Sequence, residues 1–137
     1  MQTFLPYSDM RDSVSCLDNK RLGKQRVEAM QILNVLEGRR DGWKNHPAVK
    51  MWTGHTEALH LYKDICITEW IDRGFNNTMI LTSKKDHPSL PNWWGGEIHA
   101  THRSNLLRKD AAYYRQFGWC ETDDLPYFWP TNVGEVK

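Results

Sequence analysis

Between Pro47 and Gly74, the residues Val49, Trp52, Leu59, Tyr62, Cys66 and Trp70 recur at the three- and four-residue spacing of one helical face. Pro47 suits the first helical position, and Gly74 in the RGF triplet supplies a terminator. A helix of that length has to be central, and the rest of the chain has to cover its apolar stripe. Gly54 falls inside the pattern at a local cost of roughly 1 kcal/mol relative to alanine, which points to close packing or close ligand approach. An earlier helix is expected to begin between Ser13 and Asp18 and to end at Glu37 and Gly38, with Leu22, Ala29, Met30, Leu33 and Leu36 inward.

A third helix is expected from Glu97 through Leu107, with Ile98, Thr101, Asn105 and Leu106 facing the core. Asp110 can cap a short helical turn through Ala111, Tyr113 and Tyr114 that closes at Gly118. The first residues, TFLPY, read as extended chain, and residues 76–96 as a long polar loop with room for a short helix. The end, DDLPYFWP, reads as irregular chain packed back on the body. No repeat, heptad or strand pattern is present. The expectation is an all-α fold: one compact domain over residues 1–137, with a long central helix, shorter packed helices and long polar loops.

Composition narrows the function classes. No apolar run approaches the roughly 20 residues needed to span a bilayer, and the start MQTFLPYSDMRD lacks the order of a secretory signal. An intracellular, cytoplasmic protein is expected, with Cys16, Cys66 and Cys120 as free thiols. The formal charge of +1 hides a basic stretch: from Lys84 to Arg115 six Lys or Arg face Asp86, Glu97 and Asp110, whereas the tail from Glu121 carries four acids against Lys137. Neither a dinucleotide fingerprint nor a P-loop occurs. His99 and His102 stand three residues apart, but Glu97 points elsewhere, so no metal site and no cofactor are expected.

Two polar residues sit on faces that should be apolar. In RLGKQRVEAM, Arg26 falls between Leu22 and Met30; on the second helix, His55 falls among Trp52, Leu59 and Tyr62. A buried charge needs a partner. The pair therefore suggests a polar cleft where the two helices meet, with Arg26 aimed toward His55. The rim of that cleft gathers Lys20, Arg21, Lys24 and Gln25, then Lys44, Asn45 and His46, then His99, His102, Arg103, Asn105 and Arg108. Lys and Arg suit phosphates, and Asn can read base edges. Trp93 and Trp94 in PNWWGG are the candidates for stacking on a base, because Gly95 and Gly96 leave room for close approach. Asp18, Glu28 and Glu57 are the acids of interest, of which Glu28 and Glu57 read most simply as solvated.

The stretch HPAVKMWTGHTEALHLYKDICITEWIDRGFN, with its Gly54-His55 pair and RGFN ending, resembles the central helix of the pyrimidine-dimer DNA glycosylases of the phage endonuclease V type. HRSNLLRKDAAYYRQFGW is similar to that family's penultimate segment, and KRLGKQRV to its basic first-helix stretch. The resemblance implies an N-terminal α-amine as nucleophile, attack on deoxyribose C1′ with loss of the base, an imine, and strand scission by β-elimination. A free α-amine titrates near roughly pH 8 and is partly unprotonated at neutrality. A first-helix glutamate is implied as its partner.

This chain departs from the pattern at two places. Gln2 should retain Met1, so that either Met1 supplies the amine or the lyase chemistry is lost. The glutamate position falls on Leu22, or on Gln25 with a slip; Glu28 could serve only with the helix rotated, and Asp18 only by reaching back from the helix start. The candidate catalytic residues are thus Met1, Asp18, Gln25, Arg26 and His55. The expected function is a DNA N-glycosylase, with or without lyase activity, on a damaged or modified pyrimidine, and duplex DNA is the expected partner. The alternatives are a nucleotide-processing enzyme with a closed pocket around Asp18, Arg26 and His55, or a non-catalytic binder of distorted DNA.

Overall fold

In the computed structural model, which describes residues 1–130, the capping signals of the sequence become helix boundaries. Asp9 caps α1 (Met10–Ser15), its carboxylate accepting from the Asp12 amide, and Asp18 caps α2 (Asn19–Leu36) in the same way through Arg21. His46 caps α3 (Pro47–Lys50), with Pro47 in the first turn as expected. Then follow α4 (Thr56–Asp72), α5 (Ile98–Lys109) and α6 (Ala111–Tyr114), which continues into a 3₁₀ turn at Arg115–Phe117. Asp110 caps α6 through the Tyr113 amide, and Gly118 closes the turn. The fold is all-α. Glu135 and Lys137 of the acidic tail lie outside the described residues.

The expected long second helix is broken in two. Gly54 adopts φ +80°, a left-handed conformation that other residues pay to enter, and α4 starts anew after His55. A Cβ at Gly54 would meet no atom within 4 Å, so the glycine serves the backbone turn and not close packing. At the far end of α4, Gly74 has φ +92°; its amide donates to the Ile71 carbonyl and that of Phe75 to the Trp70 carbonyl. Phe75 also stacks on Trp70 at 4.2 Å, which completes the hydrophobic clasp of this type of helix end.

The first helix differs in phase from the sequence expectation. Leu22, Gln25, Ala29, Ile32, Leu33 and Val35 are its buried residues, so Gln25 occupies the inward position expected for Arg26. Arg26 lies at the helix flank, over the Trp70 ring at 4.5 Å, and donates to Asn77 Oδ1 at 2.8 Å. Gly23 permits this approach of α2 to α4, since a Cβ there would stand 3.0 Å from the Trp70 ring.

Gln25 is drawn inward by the N-terminal segment, which runs extended through the core with Thr3 and Leu5 fully buried. A lone extended strand leaves its amides and carbonyls without partners, at about 1–3 kcal/mol for each buried group left unpaired. Here helix side chains take those places. Gln25 accepts from the Phe4 amide (2.8 Å) and donates to the Gln2 carbonyl (3.0 Å), while the Tyr62 hydroxyl donates to the Phe4 carbonyl (2.8 Å). On the other edge, His102 Nδ1 accepts from the Leu5 amide (2.9 Å), His99 Nδ1 bonds the Leu5 carbonyl (2.8 Å), and Arg103 donates to the Pro6 carbonyl (2.7 Å). Trp52 donates to Thr3 Oγ1 at 3.1 Å. Helices α2, α4 and α5 are thereby tied to one strand.

The tail covers α5 in turn. Leu125 donates to Ser104 Oγ, Asn105 donates to the Leu125 carbonyl, and the Phe128 amide donates to Thr101 Oγ1. This lays Tyr127 and Trp129 beside the N-terminal segment.

Two stability predictions follow from the threaded strand. Gln25→Leu strips the Phe4 amide and Gln2 carbonyl of their partners, and urea denaturation should report a loss of roughly 2–5 kcal/mol. Burial pushes His102 down to about 3 from an ordinary 6.5. The folded state therefore holds it neutral, its contribution is complete above about pH 6.5, and stability falls as pH drops from there toward 3, because unfolding takes up a proton. In His102→Gln the pH slope of the unfolding free energy over this window should be shallower by about one proton.

Candidate functional site

The threaded strand delivers Met1 to the surface beside the middle of α2. There Glu28, read from the sequence as solvated, turns toward the strand: its Oε2 accepts from the Gln2 amide at 2.9 Å and approaches Gln25 Nε2 at 3.5 Å. Placing Gln25 inward puts Glu28, three residues later, on the flank that borders the strand. Glu28 is thus a cavity-lining acid that the sequence pattern assigns to solvent, and the one signal for it was this three-residue spacing from a buried glutamine.

Met1 and Glu28 together wall a cavity of about 340 Å³ with Lys20, Arg21, Lys24 and Lys109. Phe4, Tyr127 and Trp129 form its aromatic side. Four cations face one carboxylate. Arg21 is partly neutralised by its 3.1 Å pair with Asp18, whereas Lys20 and Lys24 project from exposed positions on α2. A second cavity, of about 330 Å³, shares Met1 and Glu28 and is completed by Gln31, Val35, Arg40 and Trp43. His46 lies close to both shared residues: burial lowers its pKa, the Met1 ammonium lowers it further, and Glu28 opposes them. Its Nδ1 accepts from the Ala48 amide at 3.0 Å, so the neutral ring carries its proton on Nε2.

Of the residues expected to act in catalysis, Met1 alone borders the cavities with an unoccupied reactive group. Gln25 borders the first cavity too, but its amide is committed to Phe4, Gln2 and Tyr62. Asp18 is a helix cap whose carboxylate also accepts from the Tyr114 hydroxyl. Burial would raise its pKa, yet the hydrogen bonds from Tyr114 and Arg21 outweigh that and hold it below the ordinary value. Arg26 and His55 do not meet. Arg26 packs on Trp70, fifteen residues along α4 from His55, a separation of roughly 22 Å at 1.5 Å per residue. The polar cleft expected between them is replaced by packing at one end of α4 and a helix start at the other.

The expected DNA-facing residues divide in the same manner. Lys20, Arg21 and Lys24 line the cavity, and Lys44 and Asn45 stand exposed on the loop before α3. His102 and Asn105, by contrast, are fully buried. His102 serves Leu5, and Asn105 serves the carbonyls of Thr101 and Leu125. Arg103 is clamped by Glu121 through two 2.8 Å contacts as well as by Pro6. These side chains hold the first residues and the tail, and His102 Nε2 and Asn105 Oδ1 are left buried without a partner among the described residues. Trp93 is 6% exposed, donates to the Met51 carbonyl at 2.8 Å and meets Trp52 edge-on, so its faces are closed to a base. Trp94 donates to the Ser8 carbonyl.

Cys16 and Cys66 are buried free thiols and Cys120 an exposed one; burial lifts Cys16 to about 12, which leaves it protonated. No described helix is long and apolar enough to cross a membrane.

No curated protein and no solved structure matches the chain. Residues 1–83 match the family described as pyrimidine dimer DNA glycosylase, a span that holds Met1, Glu28 and the cations of α2 but ends before α5. With 83 of 137 residues matched, the chain belongs to the pyrimidine dimer DNA glycosylase family.

Proposed function

We propose that this protein is a DNA N-glycosylase with lyase activity, of the phage endonuclease V type, acting on a damaged or modified pyrimidine in duplex DNA. The observation that carries the reading is the meeting of Met1 and Glu28 in one basic cavity. The Met1 α-amine attacks C1′ of the damaged nucleotide, the glycosidic C1′–N bond breaks, and the base leaves with its bonding electron pair and takes up a proton. Opening of the sugar ring yields an imine between the amine nitrogen and C1′. Loss of a C2′ proton then expels the 3′ phosphate, which cuts the strand.

Glu28 suits the carboxylate role in this sequence. Its hydrogen bond to the Gln2 amide holds it one residue from the nucleophile. There its negative charge stabilises the cationic sugar and iminium that form during attack. It also offers a base for the C2′ proton. Lys20, Arg21, Lys24 and Lys109 supply the positive wall against the phosphates on either side of the reacting sugar. Among the described residues no other carboxylate lines this cavity. Asp18, Arg26 and His55, on which a nucleotide pocket would depend, stand apart and are engaged elsewhere or far along α4.

Borohydride reduction during incubation with a duplex bearing one abasic site should trap a covalent adduct, and peptide mapping should place it on Met1. An adduct confined to Lys24 or Lys109, or none at all, sinks the amine mechanism. Glu28→Gln should lower the cleavage rate by roughly 10²–10⁴-fold while duplex affinity is retained. Lys24→Ala should weaken binding across all sequences and reduce the slope of log affinity against log salt by about 0.9, the value for one phosphate contact.

A further inference from the structure

We infer that Thr82, His60 and Glu37 form a second catalytic site, in which the Thr82 hydroxyl takes up and releases the acyl group of a small carboxylic ester. The site stands apart from the proposed DNA chemistry. Glu37 caps α2 nine residues beyond Glu28, roughly 14 Å at 1.5 Å per residue, and its cavity shares no lining residue with the two beside Met1.

Residues 80–83 lie against α4, and side chains of that helix fix them. The Asp64 carboxylate accepts from the Thr82 amide at 3.0 Å and from the Ser83 amide at 2.7 Å, while Lys63 donates to the Ile80 carbonyl at 3.0 Å. His60 shares a helix face with Lys63 and Asp64 through its three- and four-residue spacing, so Thr82 is delivered to it. Thr82 Oγ1 lies 2.6 Å from His60 Nδ1 and 2.7 Å from Lys63 Nζ, and His60 Nε2 lies 2.9 Å from Glu37 Oε2. A hydroxyl, an imidazole and a carboxylate in this order, each at hydrogen-bond reach of the next, make an alcohol nucleophilic.

The partners fix the direction of each proton. An ammonium can only donate, so Thr82 Oγ1 accepts from Lys63 and keeps its own proton for His60. Burial would raise the Glu37 carboxyl, but hydrogen bonds from His60 and Arg39 outweigh that and hold it below its ordinary value. Ionised Glu37 accepts from Nε2–H, which leaves the Nδ1 lone pair of the neutral ring facing the hydroxyl. The three residues wall a cavity of about 380 Å³ that Arg39, Thr56 and Lys84 help to close, and Thr82 is exposed to an entering ester. Oγ1 attacks the ester carbonyl carbon as its proton passes to Nδ1, and the carbonyl electron pair moves onto oxygen. The Thr82 and Ser83 amides are taken by Asp64, so stabilising that oxyanion falls to the Lys84 ammonium. Collapse breaks the bond to the leaving alcohol, which takes the proton from Nδ1. Water, giving a proton to Nδ1, then attacks the acyl-threonine carbonyl; the bond to Oγ1 breaks and the hydroxyl regains its proton.

The probe is p-nitrophenyl acetate. Stopped-flow absorbance should show a burst of p-nitrophenolate, and peptide mapping of acid-quenched protein should place an acetyl group on Thr82. Acetyl on lysines or the Met1 amine alone, or no acetyl at all, overturns the inference. Thr82→Val keeps the branched shape without the hydroxyl and should abolish the burst, whereas Thr82→Ser should retain it. His60→Gln leaves a hydrogen-bonding side chain between Glu37 and Thr82, so a purely anchoring role would survive it; acylation should nevertheless slow by roughly 10²–10⁴-fold. Residues that act as one unit fail together, so Thr82→Val combined with His60→Gln should be no slower than the slower single variant. A burst in His60→Gln equal to that of the parent, or a loss in the double variant that multiplies the two single losses, overturns the assignment. Circular dichroism melting checks that each variant is folded, and the acetyl map of the parent protein decides the question even where a variant is not.

Discussion

The structure depends on the hydrogen bonding of one short extended segment. Residues 2–6 pass between α2, α4 and α5 with no second strand beside them, so their amides and carbonyls are paired with side chains. Those side chains come from three helices: Gln25 from α2, Tyr62 from α4, and His99, His102 and Arg103 from about one turn of α5. The helices must therefore hold fixed positions relative to the segment, and the segment relative to them. The arrangement is costly to leave half made, because every unpaired group inside the fold carries its own desolvation penalty.

The same constraint separates the polar residues into two populations. Gln25, Tyr62, His99, His102 and Arg103 look outwardly like members of a polar site, but each is engaged with the backbone of residues 2–6. Burial keeps both histidines neutral, which suits an acceptor for an amide. Beside the segment, the residues left with free chemistry are those at its exit: Met1, Glu28 and the lysines of α2. An N-terminal residue that would fray in most proteins is here anchored from its second amide onward.

Much of the architecture was legible along the chain. Asp110 before Ala111, Pro47 at the start of α3, and the Gly38 and Gly74 stops mark helix ends in the structure because each acts through contacts within a few residues. The phase of α2 was not legible. With apolar residues on much of its circumference, the sequence allowed either Arg26 or Gln25 to face inward, and the choice was made by the Phe4 amide and Gln2 carbonyl, more than twenty residues away. Rotating the helix by that one position moved Arg26 onto Trp70 and turned Glu28 from a solvated acid into a wall of the cavity. The break at Gly54 was hidden for a related reason, since the apolar spacing continues through it and only the left-handed φ interrupts the helix.

The sequence by itself determined the all-α class, those helix ends that carry a local cap or stop, and the basic, amide-rich character of the first long helix, because periodicity, caps and charge are local properties. Tertiary structure alone decided which polar residues are free to act. His102, Arg103, Asn105 and Trp93 were drawn inward to satisfy or cover the backbone of distant segments. Met1 and Glu28, separated by a turn, a short helix and half of a long one, were brought to the same cavity by a strand that the hydrophobic pattern could describe only as extended. Hydrogen-bond partners for an isolated strand are chosen in three dimensions, and that choice set the site.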